Sequence, residues 1–203
     1  MQVKICGART AADGAAIAAA GADFVGLNFV GWSSRCVSVE QARAVIAAAP
    51  GVTPVGVFMD HPVAEVQALA RALNLRWVQL HGAEAPEACA ALAGEFQVVK
   101  ALTVDRLATH AEAFAPHVAA FLVDGRQPGS GQAWDWARLA SLRPATPVWL
   151  AGGLTADNVA AAAAAVQPAA VDTASGVEVG GVVDPARVAA FCRAARGPEV
   201  RTR

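Results

Sequence analysis

The chain has 203 residues, of which 55% are hydrophobic and 16% are charged, and its formal net charge at pH 7 is −1. These values exclude a disordered chain and fit a globular protein of one domain or two small ones. A near-neutral charge without a basic run also argues against nucleic acid as a partner.

No apolar stretch reaches the ~18 residues that a membrane-spanning helix needs, and the N-terminus lacks a signal-peptide pattern. We therefore expect a soluble cytoplasmic protein with no membrane partner. The four cysteines are widely spaced, with no Cys-x-x-Cys pair, at Cys6, Cys36, Cys89 and Cys192. This spacing argues against a zinc site and against a disulfide framework, so no metal site is predicted.

Eight short apolar runs alternate with alanine-rich stretches of helical pattern. The runs predict strands at Val3–Cys6, Phe24–Phe29, Pro54–Met59, Trp77–Leu80, Phe96–Leu102, Ala119–Val123, Pro147–Ala151 and Ala169–Thr173. Helices are expected near residues 10–20, 38–49, 62–73, 84–93, 104–115, 134–142, 155–166 and 184–195. Ser38, Thr155 and Asp184 are the expected caps at the starts of three of these helices.

The alternation of strand and helix favours a parallel sheet covered by helices. Eight such units close naturally into a (β/α)8 barrel, an α/β fold; the alternative is an open doubly wound sheet with fewer strands. No linker or shift in composition divides the chain. We therefore expect one barrel domain over residues 1–203, with a disordered tail after about residue 196.

Most polar residues in the predicted strands fall toward the carboxyl end of their strand. They are Lys4, Cys6, Asn28, Gln79, His81, Lys100, Asp124 and Asp172. In a (β/α)8 barrel that end forms the mouth of the active site. Lysine is seldom buried without a partner, so Lys4 and Lys100 predict a lumen that also holds carboxylates. The alternative is that one or both lysines point outward, between the strands and the helices.

Two glycine-rich turns follow the last two predicted strands. The first contains Gly152 and Gly153, and the second contains Ser175 and Gly176. Backbone N–H groups at such turns bind anions, and the loops after strands seven and eight are the common phosphate site of this fold. The two turns together favour a phosphate-bearing ligand.

The chain resembles the phosphoribosylanthranilate isomerase family of tryptophan biosynthesis. The matching segments run in the expected order across nearly the whole chain: Val3–Gly7, Gly21–Gly26, Ser34–Ser38, Val55–Phe58, Val78–Gly82, Leu122–Asp124, Gly129–Gly131 with Asp135 and Trp136, Leu150–Thr155, Asn158–Val159, Val171–Asp172 and Ser175–Glu178. One departure lies after the second strand, where Arg35 is present but the family's neighbouring proline and tyrosine are replaced by Ser34 and Cys36.

The resemblance implies an Amadori rearrangement of N-(5-phosphoribosyl)anthranilate to 1-(2-carboxyphenylamino)-1-deoxyribulose 5-phosphate. It implies Cys6 as general base, Asp124 as general acid and Arg35 as a clamp for the anthranilate carboxylate. The substrate is a small phosphosugar whose own iminium accepts the electrons, so no metal or organic cofactor is implied. The oligomeric state is left open between monomer and homodimer.

The residue types suit this chemistry. A free thiol is only slightly ionised at neutral pH, and a nearby ammonium increases its thiolate fraction. We therefore expect Lys4 to help activate Cys6. An aspartate that donates a proton must first hold one, which an apolar lumen or a neighbouring carboxylate such as Asp172 would favour. His81 is either a substrate contact or a satisfied core histidine, and Asp172 either touches substrate or pairs with a lysine.

Three rival functions are also compatible with parts of the sequence. The related histidine-pathway isomerase, or an enzyme serving both pathways, resembles this chain in chemistry, but that family carries an aspartate at the position of Cys6 and is longer. A non-catalytic sugar-phosphate-binding barrel would keep the glycine turns without needing Cys6 or Asp124. Other phosphosugar barrels, such as an epimerase or a thiamine-phosphate synthase, often need a metal or diphosphate site that the sequence does not show.

Overall fold

Eight parallel strands close into a barrel in a computed structural model that describes residues 1–125 and 136–197. The strands, β1 to β8, are Gln2–Cys6, Phe24–Asn28, Thr53–Phe58, Trp77–Leu80, Gln97–Leu102, Ala120–Asp124, Val148–Ala151 and Ala170–Thr173. Each strand pairs with the next, and β1 pairs with β8 to complete the ring. The expected (β/α)8 fold is confirmed, and the open-sheet alternative is excluded.

A helix follows each strand and covers the outside of the barrel. The helices, α1 to α8, are Ala11–Ala19, Val39–Ala48, Val63–Ala72, Pro86–Ala93, Val104–Phe114, Trp136–Leu142, Val159–Val166 and Pro185–Arg196. A short hairpin of β9 (Glu178–Val179) and β10 (Val182–Val183) lies between β8 and α8. None of the helices in the described ranges is long and apolar enough to cross a membrane.

Local chemistry explains where several helices begin. Ser38 accepts a hydrogen bond from the backbone N–H of Gln41 and Asp184 accepts one from Arg187, so both expected caps are confirmed. The expected cap at Thr155 is wrong, because α7 begins at Val159 after Asn158. The intervening residues instead form a turn in which the Thr155 N–H donates to the Asn158 side chain at 2.8 Å.

Alternate residues of each strand face the lumen, and the rest pack under the helices. Phe24, Trp77 and Trp149 fill the amino-terminal half of the lumen, with ring centroids 4.8–5.4 Å apart. This aromatic plug closes one end of the barrel. The polar lumen residues Cys6, Gln79, Asp124 and Asp172 lie toward the carboxyl ends of their strands, and Lys4 lies in register with Phe24.

The two lysines lie on opposite faces of the barrel wall. Lys4 points into the lumen, where its Nζ lies 3.0 Å from Asp172 Oδ1. Lys100 is also fully buried, but it lies on the outer face. Its neighbours Val99 and Ala101 pack in the lumen with Phe24 and Trp149, and successive strand residues point to opposite faces. The expectation that Lys100 shares the lumen is wrong, and the outward alternative holds for this residue.

The buried ammonium group of Lys100 pairs with a carboxylate and donates hydrogen bonds to two carbonyl groups. Its Nζ lies 2.8 Å from Glu84 Oε2 and donates to the backbone carbonyls of Leu80 and Gly82. Glu84 in turn accepts the backbone N–H groups of Asp60 and Gly82. A buried charge is tolerated when it is paired and hydrogen-bonded in this way.

Some sequence features fall outside the described ranges. The Gly129–Gly131 segment, Asp135 and Trp134 lie between the two ranges, and the tail that was expected to be disordered falls mostly on residues 198–203.

Candidate active site

A cavity of about 260 Å³ opens at the carboxyl ends of the barrel strands. Eight of the ten residues proposed for the site from sequence line it: Cys6, Arg35, His81, Asp124, Gly152, Gly153, Asp172 and Ser175. The other two, Lys4 and Gly176, lie next to lining residues rather than on the wall. The strand ends therefore bring together side chains that are up to 169 positions apart in the sequence.

Cys6 and Lys4 lie against the same glycine of the neighbouring strand. A Cβ added to Gly26 would lie 2.7 Å from Cys6 Sγ and 3.1 Å from Lys4 Nζ. Glycine at this position therefore provides the space in which the thiol and the ammonium sit side by side. Asp172 holds the other side of Lys4 through the 3.0 Å ion pair, so the three groups form one cluster, in which Lys4 and Asp172 are buried and Cys6 lines the cavity.

Burial dominates the electrostatics of Cys6. Desolvation raises the pKa of the Cys6 thiol above its ordinary value, the Lys4 ammonium works in the opposite direction, and Asp172 raises the pKa again. For Lys4, the charges of Asp172 and Cys6 outweigh burial, and the pKa of the ammonium is raised. The Lys4 ammonium thus acts toward the thiolate, but the net effect of the surroundings is a pKa of the Cys6 thiol above its ordinary value.

His81 and Asp124 face each other on the opposite side of the cavity. His81 Nε2 lies 3.9 Å from Asp124 Oδ2, and each side chain is about three-tenths exposed, at 30% and 27%. Burial lowers the pKa of His81, although the carboxylates of Asp124 and Asp172 act in the opposite direction. The imidazole is therefore mainly neutral at pH 7.

The two glycine turns lie on a third side of the cavity. Gly152 and Gly153 adopt positive φ angles of +94° and +66°, which glycine accepts without strain. Gly176 passes so close to the turn after β7 that an added Cβ would meet the carbonyl oxygen of Leu154. The backbone of both turns thus reaches the same wall of the cavity, next to Ser175.

Among residues 1–125 and 136–197, no three His, Cys, Asp or Glu side chains are grouped as a metal site requires. The acid–base groups around the cavity are Cys6, Lys4, Asp172, His81 and Asp124. Such an arrangement can add a proton at one point of a ligand and remove one at another.

The family model described as "N-(5'phosphoribosyl)anthranilate (PRA) isomerase" matches residues 3–194. The chain belongs to the PRA isomerase family. A PRA isomerase from Pseudomonas fluorescens is 43% identical over 202 residues, which cover 95% of this chain and 94% of the relative. The resemblance seen in the sequence is thereby confirmed.

Solved structures of PRA isomerases have the same fold over their full length. The Thermotoga maritima enzyme superposes with a TM-score of 0.90 at 34% identity, over 98% of this chain and 100% of that chain. A second structure is of a PRA isomerase in complex with reduced 1-(o-carboxyphenylamino)-1-deoxyribulose 5-phosphate. It has a TM-score of 0.85 at 32% identity, with 98% and 100% of the two chains covered.

Within this PRA isomerase barrel, sequence reasoning assigned no role to Glu178. Its carboxylate accepts two hydrogen bonds from Arg35, from Nε at 2.6 Å and from Nη2 at 2.5 Å. The pair ties the loop after β2 to the β9–β10 hairpin, and Arg9 ties the same two loops through Ser34 and Gly181. The only sequence signal for Glu178 was its place at the end of the last matching segment.

Gln79 was noted as polar but was not included in the proposed site. It lines the floor of the cavity at 1% exposure, and its Nε2 lies 2.8 Å from His81 Nδ1. The period of two residues between Gln79 and His81 puts both on the lumen face, which was the available signal.

Proposed function

We propose that this chain converts N-(5'-phosphoribosyl)anthranilate to 1-(2-carboxyphenylamino)-1-deoxyribulose 5-phosphate, with Cys6 as general base and Asp124 as general acid. The observation that carries the proposal is that both side chains line one cavity from different strands, β1 and β6, at the mouth of a PRA isomerase barrel. The complex of a relative with the reduced form of this product adds support.

The two groups divide the reaction between them. Asp124 gives its proton to the furanose ring oxygen as the C1'–O bond breaks, and the nitrogen lone pair forms the iminium. Cys6, as thiolate, then removes the C2' proton, and the electron pair moves toward the iminium nitrogen to give the enolamine. Tautomerisation of the enolamine yields the ketone. A positioned acid and base each contribute about 10²–10⁴-fold to such proton transfers.

The remaining residues bind the two ends of the substrate. We place the phosphate on the backbone N–H groups of Gly152, Gly153 and Gly176 beside Ser175, because both turns reach one wall of the cavity. The anthranilate carboxylate belongs at Arg35 on another wall, since a guanidinium suits a planar anion.

His81 and Asp172 border the space between these two ends of the substrate. We propose that His81 contacts the substrate at the Asp124 side of the cavity. Asp172 pairs with Lys4 through Oδ1 and also lines the cavity, and we propose that it touches the substrate as well.

The assay that tests this function generates the substrate in place from anthranilate and phosphoribosyl diphosphate. We expect wild type to consume it and Cys6→Ala to lose several orders of magnitude of kcat. Cys36→Ala, which removes a thiol from a loop outside the proposed machinery, is the matched control and should keep its rate. An inactive folded wild type contradicts the function, and an active Cys6→Ala removes Cys6 as the essential base.

The same assay separates the rival functions. Turnover of the histidine-pathway aminoaldose would favour the enzyme of that pathway or one that serves both. Binding of the phosphosugar without turnover would favour a non-catalytic barrel. The thiol at position 6 supports the PRA isomerase reading, because the histidine-pathway family resembles this chain but has an aspartate there.

Lys4 is proposed as the group that assists Cys6. Lys4→Met removes a charge that lowers the thiol pKa, whereas Asp172→Asn removes one that raises it. We therefore expect the pKa of Cys6, followed by its rate of alkylation against pH, to rise in the first variant and to fall in the second. Movement in the same direction in both variants would contradict the assignment. A Lys4→Met/Asp172→Asn double variant checks that a buried unpaired charge is not the cause.

The substrate class, oligomeric state, cellular location and domain organisation are proposed on the same grounds. The substrate is a small phosphosugar, and the proposed oligomeric state is a monomer or a homodimer. A cytoplasmic location and one barrel domain over residues 1–203 suit this reading. Light scattering on the purified protein measures the oligomeric state.

A further inference from the structure

Gln79 lines the floor of the cavity, and the proposed mechanism does not use it. Its side chain is 1% exposed, and its Oε1 has no hydrogen-bond partner among the described residues. Burial of an amide without its full set of hydrogen bonds is unfavourable. Among the described residues, the Gln79 side chain makes one hydrogen bond, from Nε2 to His81 Nδ1 at 2.8 Å. This hydrogen bond is therefore the interaction that explains the position of Gln79.

This contact fixes where the imidazole carries its hydrogen. An amide nitrogen only donates, so His81 Nδ1 must accept with its lone pair, and the hydrogen of the neutral ring must be on Nε2. If the carboxamide were flipped, Oε1 would face His81, and the NH2 group would occupy the present position of Oε1, where the described residues offer no partner. A buried N–H without a partner is rarer than an under-satisfied carbonyl, so the observed orientation is favoured.

The other nitrogen of the ring faces the proposed acid. Nε2 lies 3.9 Å from Asp124 Oδ2, close enough for a modest shift to complete a hydrogen bond when the cavity is filled. The ionisable groups that act on His81 are Asp124 on β6, Asp172 on β8, Lys4 on β1 and Lys100 on β5. Burial outweighs the two carboxylates, and the ring stays mainly neutral.

We propose that Gln79 is a positioning residue that fixes the tautomer of His81, so that an N–H group rather than a lone pair faces Asp124. This inference rests on the proposed function, in which Asp124 delivers a proton to the ring oxygen of the substrate. The proton leaves Asp124 as the C1'–O bond breaks, and His81 keeps its own proton. The Nε2–H group then stabilises the Asp124 carboxylate that this step creates. A lone pair at Nε2 would repel that carboxylate instead.

The tautomer itself is measured by two-bond ¹H–¹⁵N NMR on protein labelled at its four histidines. Comparison with a His81→Gln variant identifies the His81 signals. In wild type we expect an unprotonated Nδ1 and a protonated Nε2, and a protonated Nδ1 would overturn the proposal. In Gln79→Glu the carboxylate accepts from the ring, so the proton should move to Nδ1.

Kinetics tests what the tautomer does. We expect Gln79→Glu and Gln79→Leu to lose about 10–100-fold in kcat, the usual cost of removing the partner that orients a functional histidine, with little change in KM. Gln67→Leu, which changes a partly exposed glutamine on α3, is the matched control. A changed tautomer with unchanged kcat would overturn the proposal. Thermal unfolding of each variant checks its fold, and Gln79→Glu keeps the shape of the side chain if Gln79→Leu does not fold.

The two proposals fail in different ways. If wild type shows no isomerase activity, the proposed function fails, but the NMR signals of His81 still decide whether Gln79 sets the tautomer. If wild type is active and Nδ1 is protonated, the function stands and the role of Gln79 is wrong.

Discussion

Gly26 determines how closely the thiol and ammonium of the proposed base can approach the barrel wall. Because a Cβ at this position would lie 2.7 Å from Cys6 Sγ, any other residue must push the thiol into the cavity or move β2. Lys4 cannot move cheaply, since it is fully buried and paired with Asp172. A residue with no side chain thus sets the geometry of the site.

Gly26→Ala is therefore expected to be costly. We expect the free energy of unfolding to fall by about 1–3 kcal/mol, as overpacking of a filled interior usually costs, and kcat to fall because Cys6 Sγ is displaced. Denaturant titration and the isomerase assay measure the two effects. Gly94→Ala is the control, because it lies in open space at the end of α4 with a right-handed backbone. Equal behaviour of the two variants would contradict the role of Gly26.

The Arg35–Glu178 pair shows how loops are fixed at the level of elements. Arg35 follows β2 and Glu178 begins β9, yet the bidentate pair joins their loops above the barrel mouth. Both hydrogen bonds use the Nε and Nη2 edge of the guanidinium. The Nη1 side is then the edge that can meet the substrate carboxylate.

Glu178→Gln should loosen this guanidinium. We expect KM to rise about tenfold, equivalent to ~1.4 kcal/mol of binding, with a smaller change in kcat, because the proposed role of Arg35 is to bind the end of the substrate that does not react. Steady-state kinetics gives both values. The control is Glu95→Gln, which weakens the equally bidentate but exposed Arg71–Glu95 pair. An unchanged KM in Glu178→Gln would show that Arg35 needs no such support.

The strands could be predicted well from sequence, whereas the direction in which a strand residue faces could not. Continuous apolar runs located all eight strands, because both faces of a barrel strand are buried. For the same reason, alternation does not reveal which face is the lumen. Lys4 was placed correctly because its partner, Asp172, lies on the lumen face of β8. The partner that draws Lys100 outward is Glu84, in the loop after β4.

Contacts between loops were the least predictable part of the site. Arg35 and Glu178 are 143 positions apart, and their pairing depends on a distance between loops that the closed barrel sets. The start of α7 was also misplaced, because Thr155 and Asn158 are both good capping residues and only the turn geometry decides between them.

At the scale of the whole molecule, buried thiols link the fold to pH. Burial raises the pKa of Cys6, Cys89 and Cys192, that of Cys89 to about 11, and the pKa of Lys4 is raised above 10.5. In the unfolded chain these groups return to ordinary values. As pH rises past about 9, the unfolded chain therefore releases protons that the folded barrel retains.

All four shifts thus destabilise the fold in alkali, since stability falls with pH wherever the folded state binds more protons. For Cys89, a pKa of about 11 against 9.0 corresponds to a loss of about 2–3 kcal/mol between pH 9 and pH 11. Denaturant titrations under reducing conditions measure this slope, which Cys89→Ala should make shallower while lowering stability at neutral pH. Leu92→Ala, at another buried position of α4, should lower stability equally at every pH. Parallel curves for wild type and Cys89→Ala would mean that the buried thiol is not the titrating group.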